Sequence, residues 1–371
     1  MPPLAATLAA TLALRAGVSL ARAAREHRSA DRRRRDRRFG LLAGEPTAQA
    51  MQRIALGQLD VAIDALQSGG DPGSLEKTVH ETRKALKRLR ALLRLLAPRL
   101  HEDERAREDA LLQSCAKRLS GARDADVLLA TLDALIERRP RKLEGRGGVL
   151  RLRAHLLGER ERARRATLGD PAIRAEALAE LRACRVRVGA WPAFECEDFE
   201  LVQPGLTHLY RQGRSRYRRA AHGRGDRTQT MHRWRKRVKD LRYAAQMLLL
   251  ADGEQVPRPK RGGARRRWAQ AHKDSTWLCR VERRSDRLGE LLGDEHDLAV
   301  LEEYIRAQRR DGGVRIGSRS RKALAKLIAK RRRELRKEAL REGERLFGGS
   351  PRKFAGRVAS AQLLGARKPF S

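Results

Sequence analysis

One thirteen-residue frame of this chain is written twice, with seven of its positions identical. Residues 78–90 read T-V-H-E-T-R-K-A-L-K-R-L-R and residues 230–242 read T-M-H-R-W-R-K-R-V-K-D-L-R, sharing T-x-H-x-x-R-K-x-x-K-x-L-R at a constant offset of 152. A repeat restricts the fold more than composition does, because one helical unit is then built twice and the copies pack as related units. Further on, L-S-G-A-R-D-A-D-V (119–127) and L-G-D-E-H-D-L-A-V (292–300) share Leu119/Leu292, Asp124/Asp297 and Val127/Val300 at an offset of 173. The second copy therefore holds 21 more residues between its blocks, and the basic stretch P-R-P-K-R-G-G-A-R-R-R-W lies in that gap.

The spacing has a helical meaning. Counting about 100° per residue from His80, the side chains of Arg83, Lys84, Lys87 and Arg90 fall in one arc of roughly 120° and span about 15 Å of helix. His232, Arg235, Lys236, Lys239 and Arg242 repeat that stripe, while Leu86, Leu89 and Leu93 lie on a flank suited to packing. A single basic stripe is commonly a solvated face, but five polar identities repeated at the same spacing point to contact with an extended anion. Thr78 and Thr230 are expected to cap their helices, with Glu81 completing a capping box in the first copy. Each stripe would then start at a helix N-terminus, where bound negative charge is favoured. Asp124 and Asp297 are expected to cap helices or pair with basic residues, and are not nominated as catalytic. Neighbouring Arg and Lys repel cations and no carboxylate or thiolate completes a ligand set, so no metal site is expected.

Charge narrows the partner. Lys plus Arg total 84 against 46 Asp plus Glu, a formal net charge of +38, which calls for an anionic partner: nucleic acid, an anionic membrane surface or a smaller polyanion. Aromatic residues make up only 4% of the chain, which argues against a single-strand reader that stacks bases. Apolar residues make up 40%, enough for a real core. Cys115, Cys184, Cys196 and Cys279 have no C-x2-C spacing, so neither a zinc site nor a disulfide framework is expected, and a reducing cytoplasm fits best. The N-terminal L-A-A-T-L-A-A-T-L-A-L has no cation before it and Arg-rich sequence after it, a poor match to a secretory signal. No later run is apolar for long enough to predict a membrane span.

Along the chain, residues 1–38 read as a helical or disordered basic extension that shifts from Ala/Leu-rich to D-R-R-R-R-D-R-R, with disorder the expected state of that block. Helices are predicted over about 47–66, 76–97, 103–119, 124–138, 149–166 and 171–187, and no stretch alternates as a strand does. The acidic, aromatic segment W-P-A-F-E-C-E-D-F-E-L-V-Q-P, 191–204, reads as a linker, after which helices resume to about residue 361.

At these blocks the sequence resembles the CHAD family, the conserved histidine α-helical domain. The resemblance rests on V-H-E-T-R-K-A-L-K-R-L-R, M-H-R-W-R-K-R-V-K-D-L-R-Y, R-D-A-D-V, H-D-L-A-V and the closing R-L-F-G-G-S-P-R-K-F, over about residues 40–360. It implies an all-α domain of two pseudo-twofold-related helical bundles around a basic surface or cavity that binds inorganic polyphosphate. The halves would be 40–190 and 205–361, the second carrying the basic insert at about 255–277. Family members occur on polyphosphate granules, so a cytoplasmic, granule-associated protein is implied. Some carry a CYTH triphosphatase domain, whose E-x-E-x-K signature this chain lacks. The family's basic positions fall on His80, Arg83, Lys84, Lys87, Arg88 and Arg90, and on His232, Arg235, Lys236, Lys239 and Arg242. The expected activity is non-catalytic polyphosphate binding without a cofactor. Non-specific nucleic-acid binding is the second reading and a polyphosphate or triphosphate hydrolase the third, the latter needing a carboxylate cluster for Mg²⁺ that the sequence does not offer.

Overall fold

A computed structural model describes residues 37–68, 75–119, 121–168, 171–191, 198–223, 225–251, 259, 262–310 and 313–362. Most of the N-terminal extension, residues 192–197 of the linker, and residues 252–258 and 260–261 of the insert lie outside them. The described residues are helical, with one isolated parallel bridge between Leu41 and Leu250. In chain order the helices are α1 (Thr47–Ser68), α2 (Leu75–Leu95), α3 (Glu102–Arg118), α4 (Gly121–Arg138), α5 (Pro140–Leu143), α6 (Gly147–Leu168), α7 (Pro171–Gly189), α8 (Asp198–Ala221), α9 (Arg227–Met247), α10 (Gly262–Arg310), α11 (Ser318–Phe347) and α12 (Pro351–Gln362). None is long and apolar enough to cross a membrane.

The repeat becomes α2 and α9, and both follow one burial pattern. Val79, Thr82, Leu86, Leu89 and Leu93 are buried on α2, and Met231, Trp234, Val238, Leu241 and Ala245 on α9, position for position at the same offset. Three- and four-residue spacing puts each set on one face, leaving the stripe on another. Trp234 is the one large departure: it replaces Thr82 and packs beside Tyr217, with ring centroids 5.6 Å apart. A Cβ at Gly343 would lie 2.5 Å from the Trp234 ring, so glycine is what lets α11 approach.

Both helices start a turn earlier than the capping expectation placed them. Asp226 is the N-cap of α9, its carboxylate accepting the Gln229 amide at 2.5 Å, and α2 is helical from Leu75. Thr78 and Thr230 instead sit inside the first turns, both buried. His80 and His232 are each the sixth helical residue, past the free amides of the end.

Two hydrophobic cores cut across the halves of the chain. The larger joins α1, α2, α3 and α7 to α8, α9, the middle of α10, the end of α11, and α12. The smaller joins α4, α5 and α6 to the end of α10 and the start of α11. What differs between the halves is the connection after the repeated helix. The first copy breaks between α3 and α4, whereas the second runs through as α10, 49 residues long. The later part of the insert, from Gly262, forms the first turns of that helix. At the other junction, Asp198–Pro204 already belongs to α8, and a Cβ on Gly205 would fall 1.7 Å from the Leu95 carbonyl oxygen. The end of α2 and α8 therefore meet backbone to backbone.

Candidate functional site

The stripes meet where α2 and α9 cross. Lys239, on α9, lies in the field of Arg235, Lys87 and Arg242, with Asp297 the opposing carboxylate; burial first, then these cations, bring its ammonium down to about 7. Lys87 comes from α2, so cations of both copies share one locality. Arg88 also reaches across: burial lowers its pKa, Tyr243 of α9 opposes that, and Arg242 adds to it. Its guanidinium donates to Gln58 Oε1 at 3.2 Å and lies 4.1 Å from the Phe39 ring centroid. One ion pair ties the crossing together: Arg94 Nη1 lies 3.1 Å from Asp240 Oδ1. Asp240 is buried, and burial raises its pKa against the pull of Arg94, Arg237 and Arg90.

Two stripe arginines are held by equivalent partners. Arg90 forks onto Asp109 at 2.9 and 3.0 Å and reaches Gln113 at 3.0 Å. Arg242 pairs with Glu282 at 3.3 Å and with Asp286. Asp109 and Gln113 correspond to Glu282 and Asp286 at the downstream offset of 173. This arrangement anchors each stripe to the helix behind it. Arg83 donates to the Ala116 carbonyl at 2.9 Å, and Arg235 lies 3.5 Å from Asp297. A Cβ on Gly293 would come within 3.2 Å of the Arg235 guanidinium, so glycine makes room for that side chain against α10.

The histidines are placed differently. His80 is exposed. His232 is half-buried, its ring centroid 4.4 Å from that of His296 on α10, and the Nδ1 atoms of both rings are buried without a hydrogen-bond partner among the described residues. Burial, then Lys236, Arg235 and Lys239, lower the His232 pKa. Burial, then Arg235, His232, Lys239 and Lys236, bring His296 to about 4. Both imidazoles are therefore neutral at pH 7, each with one ring nitrogen buried and unpaired among the described residues. His296 stands in the H-D-L-A-V block, but matching the two copies passes over it because the first copy has Arg123 at that position. Arg94 escapes the same match, although it continues the α2 stripe one turn beyond Arg90. Lys84 lies 3.9 Å from Glu81, both near 40% exposed, and Lys236 is exposed.

Of the two repeated aspartates, Asp297 pairs with Arg235 from within α10, and Asp124 occupies the first turn of α4. Among the described residues no cluster of three His, Cys, Asp or Glu side chains is arranged to hold a metal. A cavity of about 570 Å³ between the end of α2 and the start of α8 is lined by Arg94, Pro98, Gln203, Pro204, His208 and Arg211. None of the predicted site residues lines it.

A family model described as "CHAD domain" matches residues 57–258, more than half of the chain. Among solved structures, the crystal structure of the CHAD domain from the plant Ricinus communis is 19% identical, with 86% of this chain and 94% of that one covered at a TM-score of 0.48. No curated protein matches. The family match takes in α2, α9 and the crossing between them, and ends before α10.

Proposed function

Because the chain belongs to the CHAD-domain family, we propose that it binds inorganic polyphosphate without catalysis, at the crossing of α2 and α9, and that this binding places it on polyphosphate granules in the cytoplasm. The observation that carries the reading is the collection around Lys239: Lys87, Arg235 and Arg242 crowd one partly buried ammonium, and Asp297 is the sole opposing charge among its principal neighbours. Cations that repel one another across a partly buried site are destabilising without an anion. A chain of phosphates supplies dense charge and no bases, which suits a site with cations and histidines but no exposed stacking platform.

Roles divide by environment. Lys87, Lys236 and Lys239 are the charges that meet phosphate oxygens, with Arg83, Arg235, His80 and His232 as donors along the rim. Arg88, Arg90 and Arg242, held by protein partners, position the stripes and add field. Lys84 supports the first copy from its exposed edge.

Titrating long-chain polyphosphate into wild type and into the Lys84→Glu/Lys87→Glu/Lys236→Glu/Lys239→Glu variant tests this. A loss of binding of at least 100-fold is expected. An unchanged affinity removes the stripes from the function. A hydrolase reading predicts phosphate release with Mg²⁺ or Mn²⁺, which the binding reading does not.

A further inference from the structure

A second cationic surface lies on α10, apart from the residues assigned to polyphosphate. Counting about 100° per residue, Arg265, His272 and Arg283 form one file along the helix and Arg266, Lys273 and Arg284 a second, with Arg280 and Arg287 between them, all within an arc of about 120° and a length of about 33 Å. All eight are exposed. The carboxylates of the same stretch point elsewhere: Asp274 pairs with Arg357 of α12 at 3.2 Å, and Glu282 and Asp286 pair with Arg242 of α9. Among the described residues no ion pair engages Arg280, Arg283, Arg284 or Arg287. Between Arg265 and Arg287 the helix thus spends its acids on its neighbours and keeps its bases for solvent; the first exposed acid in line with the ridge, Glu290, lies beyond Arg287. A merely soluble face carries both signs interspersed.

From this segregation we infer that the exposed ridge of α10 is a docking surface for duplex nucleic acid, held through its sugar-phosphate backbone without base readout. The two files lie on the order of 10 Å apart on a helix of ordinary diameter. That spread fits the paired phosphate strands flanking a duplex groove about 6 to 12 Å wide better than a single thread. From Ala271 onward α10 is packed along its other sides by α9, α11 and α12, so that part of the helix presents the ridge and cannot enter the major groove. The ridge's remaining outward positions are small, Ala269 and Thr276, leaving no apolar wedge to insert into a bilayer. Arginine predominates, and its planar fork suits phosphate oxygens.

The test uses the full chain and a labelled 20-base-pair duplex, with anisotropy read across a salt series. Arg280→Glu/Arg283→Glu/Arg284→Glu/Arg287→Glu is expected to weaken duplex binding more than tenfold and to flatten its salt dependence by about 0.9 in slope for each phosphate no longer neutralised. Its polyphosphate affinity stays within threefold of wild type, and the four-glutamine version falls between. Lys236→Glu/Lys239→Glu shows the reverse preference. Duplex affinity that survives reversal of the ridge, or that falls no further than polyphosphate affinity does, overturns the proposal. All four positions are exposed, and an unchanged melting curve establishes that the fold is intact. If wild type binds duplex but not polyphosphate, the reading of the α2–α9 crossing fails while the ridge stands.

Discussion

The α2 and α9 stripes share their polar spacing but not their surroundings. On α2, His80 is exposed and Lys84 is satisfied by Glu81 on its own helix. On α9, His232 lies beside His296, the rings tilted by 34°, and three cations act on Lys239. The cause lies downstream: α10 runs unbroken past α9 and carries His296 and Asp297 to it, whereas the corresponding stretch of the first copy is divided between α3 and α4. Identical spacing therefore produced one open stripe and one recessed site, and burial makes charge matter more in the second.

If that difference is functional, reversing charge in the copies separately separates them. Lys236→Glu/Lys239→Glu is expected to weaken polyphosphate binding by about 100-fold and Lys84→Glu/Lys87→Glu by about 10-fold, since desolvated charge contacts exceed screened ones. Equal losses would mean that the recess adds nothing.

The crossing itself can be broken through Asp240. Asp240→Ala removes the carboxylate that Arg94 and Arg237 share, leaving Arg94 with Asp109 and Arg237 with Gln212, and a destabilisation of about 2 kcal/mol is expected from the lost charged hydrogen bonds, seen in urea unfolding. The equivalent residue in the first copy is Arg88; Arg88→Ala removes a cation that burial already disfavours and is expected to cost less.

Histidine sharpens the contrast further. Polyphosphate affinity is expected to rise as pH falls from 8 to 5.5, because the bound anion raises the low pKa values of Lys239, His232 and His296 and proton uptake then accompanies binding. His232→Gln should flatten the part of that profile below pH 7, leaving the Lys239 part, and lower affinity about fivefold at pH 5.5, an effect near 1 kcal/mol; His80→Gln should change it little. A flat wild-type profile would exclude direct histidine contact.

The smallest effect concerns the protein without its anion. Lys239 loses its proton near 7 in the fold, while an unfolded lysine holds its proton until about 10.4. Between pH 7 and 9 the unfolded state therefore binds more protons, so stability rises with pH. Lys239→Met is expected to raise the melting temperature at pH 6 by a few degrees and to remove that rise, while weakening polyphosphate binding.

The parts of this structure readable in advance are those written by local periodicity. The buried set of α2 and α9 follows directly from spacing, and α1, α3, α4, α6 and α7 appear close to their predicted ranges because turn residues and prolines punctuate them. The helix starts differ from expectation because threonine capping chemistry is also compatible with a buried first-turn residue, and Asp226 three residues before Gln229 is the better cap. The sharing of both cores between halves is illegible, since partner choice among amphipathic helices depends on shape complementarity at contacts such as Gly205 against Leu95 and Gly343 against Trp234. The stripe residues can be named from the repeat, but not the split into anchored and crowded members. That split depends on Asp109, Glu282 and His296, which lie in other helices, and no pattern internal to the stripe contains them.

The central claim is that cations of both copies act on one another across the α2–α9 crossing, and the titration of Lys239 measures it directly. Followed by nitrogen-detected NMR of the side-chain amine, Lys239 is expected to titrate near 7 in wild type, higher in Lys87→Gln, and higher again when polyphosphate is bound. A titration near the ordinary lysine value, indifferent to Lys87, would contradict it.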